Sequence, residues 1–185
     1  ASAVMLTSAG LLTQSFARLL AVDPGFVTAN VFMAQVSLPE SRYTTDAGIE
    51  TVFRALLERV SAAPQIESVA LATVPPLTGA TDTAVHAEGR PPASPRDRMF
   101  AQIRRVQGDY FETLQIPIVG GRPLSDDIDR AGAPFAAVVT ASVAARAFGS
   151  DHALGRRLVV DVGNPTTVEI VGIVADVRQF GPESD

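Results

Sequence analysis

Over the first half of the chain the spacing of apolar positions changes twice. Residues 30 to 38, NVFMAQVSL, alternate, with Phe32, Ala34, Val36 and Leu38 on one face, so a strand is predicted there and Pro39 ends it. From 46 to 63 the period becomes helical. Ile49, Val52, Phe53, Leu56, Leu57 and Val60 form one apolar stripe, while Glu50, Arg54 and Glu58 share the wet side at i, i+4 spacing. Asp46 is the predicted N-cap and Pro64 enforces the stop. Alternation returns at 66 to 73, IESVALAT, predicting a second strand. Strand, helix and strand with short connections make a βαβ unit, which needs further strands beside it for stability.

Pro75, Pro76 and Gly79 mark a boundary, and the pattern beyond it is shorter-ranged. Strands are predicted at 82 to 88 and at 98 to 107, separated by the turn-prone GRPPASP, with a brief helix at 109 to 114 followed by IPIVGGRPL. A strand at 134 to 139 leads into a short helix at 141 to 148. RLVVD and VEIVGIVADV then close the series as two β segments around a Gly163-Asn164-Pro165 turn. No repeat or low-complexity tract interrupts this order. The predicted class is α+β in two subdomains.

The first 17 residues, ASAVMLTSAGLLTQSFA, carry no charge, and Arg18 is the first charge met. No basic segment precedes them and no cleavage pattern follows, which fits a signal peptide poorly. A spanning helix needs roughly 20 apolar residues. Ser2, Thr7, Ser8, Thr13 and Gln14 dilute this run below that. Two readings stay open. Met5, Ala9, Leu12, Phe16 and Leu19 make an amphipathic helix of a soluble domain, or the run is the outer end of a membrane helix continuing as a stalk to Asp23-Pro24-Gly25.

Composition narrows the chemistry. With 185 residues and 46% apolar content the chain can bury a sizeable core. A formal charge of −5 argues against a nucleic-acid surface. All 15 basic residues are arginine. The missing lysine excludes a Walker A site, Schiff-base chemistry and a lysine base. The missing cysteine excludes thiol nucleophiles, disulfides and thiolate metal sites, while leaving the compartment open.

The remaining candidates are weak. Asp126, Asp127 and Asp129 form the densest acidic cluster, but a calcium loop begun at Asp127 puts Ala131 at its third ligand position and Val138 where glutamate belongs. Asp129 beside Arg130 reads more simply as a solvated turn with an ion pair. Gly120 and Gly121 do not build a dinucleotide-binding loop, and Gly121-Arg122-Pro123 reads as a tight turn with a positive φ. Arg104 and Arg105 point to opposite faces of a strand. At most one of them can meet a buried carboxylate. His86 and His152 are thin material for a metal centre or a triad, and read as surface or satisfied histidines. Ser142 opens a helix after a strand without a nucleophile-elbow motif, which favours a capping role. No catalytic, cofactor-binding or metal residue is therefore assigned.

Several segments in order resemble a known family. SFARLLAVDPGF, NVFMAQVSLPESRY, QIESVALATVPPL, VHAEGRPP, GDYFETLQIPIVGGRPL, PFAAVVTASVAARAF, HALGRRL and VEIVGIVADVRQFG follow one another as in the MacB-like periplasmic core domain, closest in flavour to the acidobacterial-type duplicated orphan permeases. Gln115 departs from the glycine the family usually places before Ile-Pro. The resemblance implies a porter-like βαβ subdomain and a second, mostly β mixed subdomain, preceded by an N-terminal stalk helix. The implied division is 1–24 as outer membrane-helix end and stalk, 25–75 as the first half of the porter-like part, and 76–185 as the β-rich part. The family completes its porter part with a later α/β segment that this chain does not reach. An unpaired sheet edge or exposed apolar face is therefore expected in the βαβ unit, covered elsewhere by another copy.

The same resemblance implies a place on the extracytoplasmic, periplasmic side of the cell membrane, within a MacB/FtsX-like ABC transporter permease. The implied role is non-enzymatic mechanotransmission in efflux, export or envelope traffic, with no cofactor. Its implied partners are the rest of the permease membrane helices, an ATP-binding subunit, adaptor proteins and a homodimer mate or paired duplicate domain, and not nucleic acid. An envelope ligand-binding module recognising a peptide or lipid is the alternative.

Overall fold

The computed structural model describes residues 14, 25, 27, 29–39, 41–75, 82–129, 133–149 and 152–176. Helix α1, Asp46–Ser61, forms where the helical period predicts it, with Glu50 and Arg54 ion-paired one turn apart. Its cap differs from the prediction. Thr45, not Asp46, accepts from the Gly48 amide at 3.3 Å, because its backbone is still extended while Asp46 already lies inside the helix. The chain then enters β1, Ala70–Ala72, a shorter strand than the 66 to 73 run suggested.

Strand β2, Asp82–Ala87, pairs antiparallel with β3, Met99–Gln102. The run expected as one strand over 98 to 107 is two. β3 stays in the larger sheet, whereas β4, Val106–Gly108, crosses over to pair antiparallel with β1. Between them the Arg104 Nε donates to the Val74 carbonyl at 3.1 Å, and the Arg105 amide donates to Thr73 Oγ1 at 3.2 Å. Those contacts hold the divergence point.

A one-turn helix α2, Tyr110–Thr113, leads into β5, Ile118–Gly121. Strand β6, Ala136–Thr140, runs directly into α3, Ala141–Phe148. The β7–β8 hairpin follows, Arg157–Asp161 and Pro165–Val174, in the register set by the Gly163-Asn164 turn. Among the described residues there are two sheets. One is the β1–β4 pair, and the other is six-stranded in the order β3-β2-β7-β8-β5, with β6 parallel to β8.

β8 is paired on both edges. Its first half meets β7, its second half meets β5 on that same side, and β6 runs parallel along the opposite side from Ala136↔Glu169 to Thr140↔Val174. Its sequence matches this. PTTVE alternates and has one wet face, whereas IVGIV is continuously apolar, as a strand covered on both faces requires. Helix α3 packs across the sheet against β2, β3, β6 and β8. It buries Ala144 with Ala153, Leu158 and Ile170 in one core, flanked by Val143, Phe148 and Ile173. A second core gathers Leu114, Ile116 and Val174, with Val31 and Phe111 against it.

The capping serine anticipated at Ser142 is instead Thr140, whose Oγ1 accepts from the Val143 amide at 3.4 Å. The helix starts two residues earlier than a Ser142 cap requires. The Ser142 amide is taken by Asp176 at 3.0 Å. The strand expected at 30 to 38 is likewise absent. Residues 31–39 have no regular secondary structure and belong to no ladder, since no other described strand lies beside them. Phe32 is 90% exposed, with Met33 and Val36 also exposed. The proposed stalk lies outside the described residues, apart from a helical Gln14.

Two backbone positions are tightly specified. A Cβ on Gly172 would sit 2.1 Å from the Arg122 carbonyl oxygen, because β5 crosses β8 there without clearance. Gln115 closes α2 in a Schellman motif at φ 52: its amide donates to Glu112 at 3.0 Å and that of Ile116 to Phe111 at 2.8 Å. A left-handed backbone is one that glycine adopts without steric cost and a side-chain-bearing residue does not. Replacing Gly172 by alanine is expected to cost about 3 kcal/mol or more, as overpacking against backbone cannot relax. Gln115→Gly is expected to stabilise by up to about 1 kcal/mol, since it removes the left-handed penalty. Urea denaturation of both variants measures the two effects with opposite sign.

Candidate functional site

The acidic turn is the first place to look for chemistry, and two of its three carboxylates, Asp126 and Asp129, are already engaged. Arg122 reaches Asp129 with two parallel hydrogen bonds, Nη1 to Oδ2 at 2.7 Å and Nη2 to Oδ1 at 2.8 Å. The Ser125 amide also donates to Asp129 Oδ2 at 2.9 Å, so this carboxylate closes the loop from 122 to 129. The Arg122 hydrogen bonds hold the Asp129 carboxyl below the usual carboxylate range, against the opposing effect of partial burial. The partner is Arg122 rather than the neighbouring Arg130, which lies outside the described residues.

Asp126 makes a different tie. Both of its oxygens accept from the Gly108 amide, at 3.2 and 3.4 Å, which fastens the loop after β5 to the end of β4. Gly108 holds φ 71 there, with no room for a side chain above the Val69 carbonyl. Asp127 is exposed. Among the described residues no three His, Asp or Glu side chains come together as metal ligands.

The remaining candidates are dispersed. His86 is half-buried on β2 opposite Val159, His152 is exposed in the loop before β7, and Ser142 is exposed on the first turn of α3. No hydrogen bond joins these three among the described residues. Gly121 has the expected positive φ, at 71, and lies against the Val171 carbonyl oxygen.

Sequence reasoning missed a concave apolar surface. Tyr110, Phe111, Ile116, Pro117, Ile118 and Leu124 line a groove of about 450 Å³ between α2 and β5, with Asp109, Glu112 and Gln115 among its polar groups. Tyr110 and Phe111 meet edge to face at 5.4 Å between ring centroids. Burial pushes the Tyr110 phenol up, and the charge of Arg104 works against that. The groove joins residues from one turn of helix and two β5 flanks, so no local periodicity announces it. Phe111, Ile116 and Ile118 also contact the Leu114 core on which Val31 rests, which places the open segment 31–39 next to that core. Among the described residues no helix is long and apolar enough to cross a membrane.

Comparison with known proteins bears on this arrangement. The model of the MacB-like periplasmic core domain matches residues 1–185. No curated protein matches the chain. Among solved structures, the periplasmic region of MacB from Actinobacillus actinomycetemcomitans superposes with a TM-score of 0.50 at 17% identity, over 69% of this chain and 52% of that one. The extracellular domain of the noncanonic ABC-type transporter YknZ from Gram-positive bacteria gives a TM-score of 0.47 at 14% identity, over 68% of this chain and 59% of that one. The chain thus spans about half the length of the MacB region it matches, and at that identity the likeness to MacB is one of fold.

The Arg122–Asp129 pair sets a pH dependence. A carboxyl whose folded value is depressed contributes stability above its unfolded value, near 4, and that contribution is lost as pH falls through the folded value. Asp129→Asn is expected to lower stability at pH 7 by about 1 kcal/mol, with the partial exposure of Arg122 limiting the loss. The gap between the two proteins should close below roughly pH 4. Thermal melts of both from pH 7 downward measure it.

Proposed function

The chain belongs to the MacB-like periplasmic core domain family, and from that premise we propose that it is the extracytoplasmic domain of a MacB/FtsX-like ABC transporter permease, working without catalysis. In this reading 1–24 is the outer end of a membrane helix and its stalk, 25–75 begins the porter-like part, and 76–185 is the β-rich part. The stalk delivers movement of the membrane helices, powered by an ATP-binding subunit, to adaptor proteins or a paired domain during export or envelope traffic. The match along the whole chain is the observation that carries the proposal.

The build of the domain supports it. A transmitting body has to move as a unit, which calls for packed elements rather than reactive side chains. β8 places Ile170 in one core and Val174 in the other, so both are strung on one strand. Asp126 adds a link from the larger sheet side to β4. Phe32, Met33 and Val36 are the side chains against which a porter-like neighbour or second copy packs. The groove beside Tyr110 favours the second reading, an envelope module that retains a peptide or lipid. Native mass spectrometry separates the two, since a co-purifying small ligand belongs only to the second.

The coupling reading predicts that a flexible Gly-Ser insertion between Ile103 and Arg105, in the parent permease, lowers export while ATP hydrolysis continues. A melt of the isolated domain carrying the insertion verifies that it still folds. Undiminished export by that variant, or hydrolysis of ester or peptide substrates by the isolated domain, overturns the proposal.

A further inference from the structure

A second concavity lies on the far side of the six-stranded sheet's connections, where the turn after β2, the end of α3 and the start of β7 meet. It has a volume of about 240 Å³ and is lined by Ala87, Glu88, Arg90, Phe148, Gly155, Arg156 and Arg157. Three guanidinium groups share it with a single carboxylate, in a chain whose formal charge is −5. Such a local reversal of sign costs repulsion among the arginines unless an anion relieves it.

Two of the three guanidinium groups, those of Arg156 and Arg157, have a side-chain partner. Both backbones at the start of β7 are locked into the sheet: the Arg156 carbonyl accepts from Ile170 at 2.8 Å, and that of Arg157 accepts from Glu88 at 2.9 Å. The Arg156 guanidinium lies over the Phe148 ring, 5.3 Å from its centroid. Arg157 Nε is fixed by Glu88 Oε2 at 2.6 Å, an end-on contact through one nitrogen. Arg90 follows a turn closed by its own amide on the Ala87 carbonyl at 3.0 Å, and its guanidinium has no partner among the described residues. Planar guanidinium forks recognise phosphate better than ammonium groups do, because each presents two parallel donors.

We infer that this pocket binds a phosphate group, with Arg90 and Arg156 as the principal donors and Arg157, shared with Glu88, as a third. The phosphate belongs either to a soluble ester or to a lipid headgroup. Glu88 competes with it for Arg157, so the two acidic groups oppose each other. The inference does not depend on the coupling role, and either stands if the other fails.

Titration of the folded domain with inorganic phosphate, followed by amide NMR, tests it. Saturable shifts are expected at Gly89, Arg90, Gly155 and Arg156, weakening with added salt. Arg90→Gln and Arg156→Gln should each weaken binding by about fivefold, and Glu88→Gln should tighten it. Arg90→Gln removes a side chain with no structural partner, so a folding defect does not confound it. Co-sedimentation with vesicles of phosphatidylglycerol and phosphatidylcholine in equal parts, against phosphatidylcholine alone, identifies the source. Arginine-dependent binding to the anionic vesicles assigns a lipid headgroup, and phosphate binding without vesicle binding assigns a soluble ester. Absence of saturable shifts and of vesicle binding, or binding that all three variants leave unchanged, overturns the inference.

Discussion

The double pairing of β8 is the constraint on which the rest of the fold depends. From Glu169 onward this strand has a partner along each edge, β6 on one side and the β7–β5 succession on the other. A strand in that position satisfies its backbone groups internally and has both faces available for packing, which is why an unbroken apolar run is stable there. The arrangement leaves so little clearance that Gly172 must lack a side chain where the Arg122 backbone passes. Moving β8 by one residue would exchange Ile170, Gly172 and Val174 for their neighbours and disturb both cores together.

Charged groups do structural work around this spine. Arg122 and Asp129 hold the loop that leaves β5, Asp126 fastens it to β4, and Arg104 secures the point where the chain leaves one sheet for the other. Each tie is a directional contact between segments distant in sequence or separated by a loop. Their engagement explains why an acidic cluster that invites a metal reading behaves as a set of fasteners.

The same economy marks the segments that lack partners. Residues 31–39 carry the alternation of a strand, yet alternation creates only the capacity to pair. Without a neighbouring strand no ladder forms, and Phe32 stands almost fully in solvent. Such a surface is costly while it stands in solvent. At Gln115 a side chain tolerates a left-handed backbone because the Schellman bonds and the burial of Ile116 outweigh the steric cost.

How much of this was legible beforehand follows from the range of the forces involved. Helix α1, helix α3 and the β7–β8 hairpin were readable because their apolar periods, stop signals and turn residues are local, lying within a few positions of the structure they specify. The order of segments also carried the family resemblance, and with it the α+β class. Sequence alone could not show that 99–108 divides between two sheets, that Thr45 and Thr140 rather than Asp46 and Ser142 cap their helices, or that Asp129 takes Arg122. Nor could it show the groove at Tyr110 or the arginine pocket, whose walls come from separate elements. Those outcomes depend on which segments become neighbours in space, and hydrogen-bond geometry and packing select them only once the sheets have assembled.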